Sequence, residues 1–178
     1  MKKSVLRALL ALLFIFNFSI FYAQAEEVEK SNTEIIKYIS TADDLMKIEE
    51  SDADKFVLTN DIDMENKFWQ SITNFDKILD GQGFTISNFY SNDFESAMFY
   101  QILENGIVEN LNIQGHSCGG SCSTFAFKNY GAIKNCCNYC TQHGVKTSAG
   151  IAVYNYGFIS SCKNIATIKG SEKAAGIA

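Results

Sequence analysis

The residues most able to do chemistry crowd into one stretch: His116, Cys118, Cys122, Cys136, Cys137, Cys140 and His143. Cys118-x-x-x-Cys122 and Cys137-x-x-Cys140-x-x-His143 have spacings that zinc can use, because thiolate and imidazole suit its tetrahedral shell. Six cysteines is also an even number, so the same thiols can pair as disulfides, or stay reduced as small buried hydrophobes. Nucleophilic catalysis has little to build on. A Cys140–His143 dyad lacks a third member to orient it. The chain has no G-x-S-x-G elbow and no H-E-x-x-H, and those two histidines are its only ones. Asp61, Asp63 and Asp80, with Gly81 and Gly83, offer oxygens to calcium, but neither an EF-hand loop nor a glycine-rich nonapeptide accompanies them. Asp80-Gly81 reads as a turn, and Asp61 as bonding its own backbone. No catalytic residue, metal site or cofactor is assigned. Tyr130 and Tyr156, near one repeated corner, are the candidate ligand surface.

The compartment bears on the thiols. Lys2, Lys3 and Arg7 precede an apolar run from Ala8 to Phe21, broken by Asn17 and Ser19, and Ala23-Gln24-Ala25 has the small-x-small form of a cleavage site. This predicts a signal peptide over 1–25, a mature chain from Glu26, and a secreted or cell-surface protein. The run is short for a membrane span of about 20 residues. Exported chains usually oxidise their thiols, so at least one disulfide is expected among Cys118, Cys122, Cys137 and Cys140.

Charge narrows the partners. Beyond residue 25 there are 12 Lys, 20 acids and no Arg, a net charge of -8. Residues 26–110 carry -13 and residues 111–178 carry +5. Without Arg there is no bidentate capture of phosphate, and no basic stripe suggests a nucleic acid partner. Asn, Tyr and Lys remain able to hold neutral sugars. The acids crowd the first half and do not line a repeated cleft, which argues against paired-carboxylate glycosidase chemistry.

The positioning elements are short. Residues 26–38 read as a flexible lead. Thr41 with Asp44 makes a capping box, and Leu45 and Ile48 share a face, which predicts a short helix from Thr41 to Glu50. From Phe56 onward, strands of two to five residues alternate with Gly, Asn and Asp, as in all-β folds with tight turns. Asn129-Tyr130-Gly131-Ala132-Ile133-Lys134-Asn135-Cys136 recurs as Asn155-Tyr156-Gly157-Phe158-Ile159-Ser160-Ser161-Cys162, 26 residues later. A weaker copy begins at Asn105-Gly106. A period of 25 to 26 built of short strands predicts a parallel β-helix. Equivalent residues should then stack: Val108, Ile133 and Ile159 in one inward column, Leu111, Cys136 and Cys162 in another. Gly106, Gly131 and Gly157 should line a corner that needs positive φ or close backbone approach. Asn129 and Asn155 should form an amide ladder beside it.

Ile39-Ser40-Thr41-Ala42-Asp43-Asp44-Leu45, Phe56 to Asp63, Trp69 with Ile72, and Leu79 to Phe89 occur in that order ahead of these repeats. Together they resemble bacterial surface proteins carrying GLUG repeats, over about Ile39 to Ala178. The chain departs from that pattern at Tyr100, where Gly is frequent, and in its extra cysteines between 118 and 140. The resemblance implies a right-handed parallel β-helix with an N-terminal cap (39–55), irregular first rungs (56–104) and repeats (105–178). It implies a non-catalytic, adhesin-like module whose partners are a host or matrix protein or a glycan. A polysaccharide-active β-helix enzyme, or the front of a larger surface protease, are the alternatives. The last copy, Ala174 to Ala178, matches only the opening of a rung, so further rungs or self-association are expected there.

Overall fold

A computed structural model describes residues 34–178; the signal peptide expected over 1–25 and most of the expected lead lie outside those residues. Thr41 and Asp44 close the capping box as expected: Thr41 Oγ1 accepts from Asp44 N–H, and Asp44 Oδ2 accepts from Thr41 N–H, each at 3.1 Å. The helix α1 (Ala42–Met46) is nevertheless shorter than Thr41 to Glu50. Ile48 N–H bonds Leu45 O at 3.3 Å, an i→i+3 turn that ends the helix and lets Ile48 bury beside Leu45. The end of the lead is also not loose. Strand β1 (Ile36–Ile39) pairs with β2 (Lys55–Leu58), because Ile39 needs the same interior as Leu58.

Beyond this point the chain is a parallel β-helix of about five turns, with coils near 26 residues. One sheet continues from β1 and β2 through β5 (Ile78–Asp80), β9 (Ile107–Glu109), β13 (Ala132–Lys134) and β17 (Phe158–Ser160). A second runs β3 (Ile62–Asp63), β6 (Thr85–Ser91), β10 (Asn112–Gly119), β14 (Cys137–Gly144) and β18 (Lys163–Asn164), with β19 (Ile168–Gly170) also on β14. The third holds β7 (Glu95–Ser96), β11 (Ser121–Cys122), β15 (Thr147–Ala149) and β20 (Lys173–Ala175). The fourth holds β4 (Ile72–Phe75), β8 (Phe99–Ile102), β12 (Ala126–Asn129) and β16 (Ala152–Asn155). All pairings between these strands are parallel, so each rung hands its register to the next.

Register makes columns. Phe56, Leu79, Val108, Ile133 and Ile159 lie opposite one another through the first sheet. The Leu111–Cys136–Cys162 column also forms, with Cys137 N–H bonding Leu111 O and Lys163 N–H bonding Cys136 O, both at 2.9 Å. Gly106, Gly131 and Gly157 line the expected corner by close approach. A Cβ on Gly131 or Gly157 would strike the carbonyl of the glycine one rung before. None of the three has positive φ; that conformation falls on Asn110, Asn135 and Ser161, at φ 54°, 51° and 53°. Asn tolerates the left-handed region better than other side chains with a Cβ.

Candidate functional site

On the outer side of the fourth sheet and the corner after it, aromatic rings stack from rung to rung. Tyr100 and Phe127 lie parallel, with centroids 5.5 Å apart and planes at 17°. Phe127 meets Tyr154 edge-on, also at 5.5 Å. One corner further, Tyr130 and Tyr156 stack at 5.0 Å with planes at 14°. The pair named from sequence is thus brought together, and 64% of Tyr156 is exposed. The reason is register: Gly131 and Gly157 close the two corners alike, so the preceding tyrosines meet.

Lys128 lies over the first group of rings. Its Nζ sits 5.2 Å from the Tyr100 ring centre and 5.8 Å from that of Phe127, and donates to Tyr100 Oη at 3.4 Å. That hydrogen bond, and then the nearby Tyr100 and Tyr130 hydroxyls, hold the Lys128 ammonium above its ordinary pKa. Gln101, bonded to Asn74 at 3.0 Å, continues the polar edge toward the earlier rungs. Tyr100, Phe127, Lys128 and Tyr154 were missed as site residues from sequence. The signal lay in Phe127 and Lys128 standing one rung, 26 residues, ahead of Val153 and Tyr154.

Among the described residues the acids do not gather as a group of three or more metal ligands. Asp61, Asp63, Asp43, Glu65 and Lys67 line one hollow of about 240 Å³, but donors already hold them. Asp61 Oδ1 accepts from Thr85 N–H at 2.8 Å, one rung on, so it braces the next coil and not its own backbone. Asp63 takes Glu65 N–H at 2.7 Å and Asn88 Nδ2 at 2.8 Å, which lowers its pKa. Lys67 lies 3.2 Å from Asp43 and 3.6 Å from Glu65. Asp80 secures its turn as read. It accepts from Gln82 N–H (3.1 Å), Gln82 Nε2 (2.6 Å) and Asn110 Nδ2 (3.0 Å), and pairs with Lys55 at 3.5 Å. Burial pushes its pKa up, but the Asn110 and Gln82 hydrogen bonds and Lys55 outweigh it, and the net shift is downward.

The cysteines require a correction. All six are free, and the bridge expected among Cys118, Cys122, Cys137 and Cys140 is absent. In register, Cys118 faces His143, Cys122 faces Ser96 and Ser148, Cys137 faces Asn112 and Lys163, and Cys140 faces Gly115. No two of those four thiols are opposite each other in neighbouring rungs. Nor do they gather with histidine: among the described residues no three His, Cys, Asp or Glu side chains stand together as a metal site. His116 and His143 meet each other edge-on at 5.8 Å. Cys140 is buried in the core, and burial raises its pKa to about 12, which leaves it a protonated core thiol. Within the coil, Asn129 Nδ2 donates to Asn155 Oδ1 at 2.7 Å, the amide ladder expected there. A second amide pair, Asn138 to Asn164 at 2.7 Å, was not foreseen.

No protein family, curated protein or solved structure matches the chain.

Proposed function

We propose that this chain is a non-catalytic binding and display module of an exported, cell-surface protein, and that its ligand is a neutral glycan. The carrying observation is Lys128 laid over Tyr100 and Phe127 beside the stacked Tyr130–Tyr156 pair. Rings with an apolar face and a polar rim suit sugars, which present C–H faces flanked by hydroxyls. The open faces of Tyr154 and Tyr156 take the C–H side, while Lys128 and the tyrosine hydroxyls bond the sugar oxygens. The net charge of -8 beyond residue 25 disfavours polyanions, and the likeness to GLUG-repeat surface proteins supports a display role.

Strands β16, β17, β18 and β20 each have a neighbour on one side only among the described residues. Such edges accept further strands, which supports added rungs or a second copy as the partner there. A glycan panel with isothermal titration tests the binding surface. Y156A or K128A should weaken binding about tenfold, equivalent to about 1.4 kcal/mol. Unchanged affinity in both variants, or release of new reducing ends by the wild-type chain, would overturn the reading.

A further inference from the structure

Two thiols play no part in the aromatic strip. Cys136 and Cys162 stand at equivalent positions of successive rungs, between the paired residues Lys134↔Ser160 on one side and Cys137↔Lys163 on the other. Adjacent strands lie about 4.8 Å apart, inside the range of about 4.4–6.8 Å that disulfide Cα atoms span. Both thiols occupy the same local cradle. Cys136 Sγ contacts Lys134 O at 3.2 Å and Val108 O at 3.7 Å, whereas Cys162 Sγ contacts Ser160 O at 3.3 Å and Ile133 O at 3.5 Å. Each sulfur therefore sits over the carbonyl two residues back and the equivalent strand of the previous rung. Their accessibility differs: Cys136 is buried at 1% exposure, while Cys162 is half-buried against the core.

We propose that Cys136 and Cys162 form a redox-active dithiol, in which Cys162 is the accessible attacking sulfur and Cys136 the buried resolving one. Electrostatics support these roles. The Cys136 thiol beside it lowers the Cys162 pKa, and the same contact, with burial, raises that of Cys136. The oxidant is a low-molecular-weight disulfide. The Cys162 thiolate attacks one of its sulfurs, breaking that S–S bond and expelling one thiolate. Cys136 then loses its proton and attacks the Cys162 sulfur, expelling the second thiolate. Two protein thiols give up two electrons and two protons, and one small disulfide becomes two thiols. The product ties one rung to the next between cysteines 26 positions apart in the chain.

The test uses the full reduced chain with oxidised glutathione near neutral pH, acid quenching, and peptide mapping without reductant. A Cys136–Cys162 cross-link, lighter by about two mass units from the two lost hydrogens, is expected. Fragmentation, or the C137S variant, separates Cys136 from its neighbour. A bridge between any other pair, or glutathione adducts without this bridge, would overturn the proposal. In C136S the adduct should persist on Cys162, and Cys162 of the wild-type chain should alkylate about tenfold faster than Cys118. Preferential modification of Cys118 would remove Cys162 from the attacking role, whatever the stability of the variant.

Discussion

The interior of the coil changes character between its early and late rungs. In the second sheet one inward column reads Ile62, Ile86, Ile113, then Asn138 and Asn164. In the fourth it reads Phe75, Ile102, then Asn129 and Asn155. Phe56, Phe75, Phe89, Phe99 and Trp69 fill the front, with Trp69 and Phe89 at 5.9 Å and Phe75 and Phe99 at 4.4 Å. The back buries Thr124, Asn129, Asn138, Gln142 and Ser148 instead. Two routes to a stacked column therefore coexist in one coil. Apolar side chains gain by leaving water and tolerate imperfect alignment, whereas amides must meet donor to acceptor at every rung. The joint between the two shows the constraint. The buried Asn129 Oδ1 finds no hydrogen-bond partner, and it lies where the column passes from Ile102 to Asn129, with no amide one rung earlier to supply a proton.

The comparison breaks most sharply at Phe99. F99A removes a buried ring from the early rungs and should cost about 3–5 kcal/mol, read as a lower urea midpoint. Because a solenoid couples mainly to nearest neighbours, amide exchange should speed up in rungs adjoining Phe99 more than near Asn164. Equal acceleration throughout would show that the two regions unfold as one unit.

A smaller loss is expected from the amide side. Asn138 accepts from Thr124 Oγ1 at 2.7 Å and Cys140 N–H at 2.6 Å while donating to Asn164. N138A strands those buried groups and should cost about 1–3 kcal/mol. N138I, which only prolongs the Ile113 column, should be no better, because the Thr124 O–H and the Cys140 N–H lose the acceptor that Asn138 gives them. Recovery of full stability in N138I would show that the late interior prefers apolar filling after all.

Acid should act first on the front. The Asp80 carboxylate has a folded pKa below its unfolded value near 3.8, so the unfolded chain binds the proton more readily. Its contribution is complete above that unfolded value and fades as pH falls through the lower, folded one. Acid titration of stability should therefore show a decline below about pH 4 that is shallower in D80N, with Asp44 and Asp63 supplying the remainder. The smallest effect belongs to Asn129. Replacing it with Ile removes an orphaned acceptor together with its bonds to the exposed Asn155 and, at 3.4 Å, to Phe158 O, so N129I should lie within about 1 kcal/mol of wild type.

Much of this was legible in the chain because a solenoid writes its period into sequence. The echo between Asn129–Cys136 and Asn155–Cys162 specified the register of the late rungs, and with it the Ile133–Ile159 column, the Asn129–Asn155 ladder and the Tyr130–Tyr156 stack. Thr41 and Asp44 likewise specified the helix start, since a capping box closes within four residues. What escaped depended on pairing between rungs whose sequences have diverged. The Asn138–Asn164 ladder does repeat at 26 residues, but it lies past the matched Asn129–Cys136 stretch and follows a column of isoleucines, so its inward placement showed only in the stacked rungs. The left-handed conformation sits on Asn110, Asn135 and Ser161, at the corner after β9, β13 and β17, whereas the glycines stand at the corner before those strands and serve close approach of the previous rung's carbonyl. The thiols clustered between 118 and 140 turn out not to face one another, whereas Cys136 and Cys162, 26 residues apart, do. Local sequence determined which residues turn, cap and extend; only stacking decided which of them touch, because neighbours in a coil are one rung apart in space and about 26 residues apart in the chain.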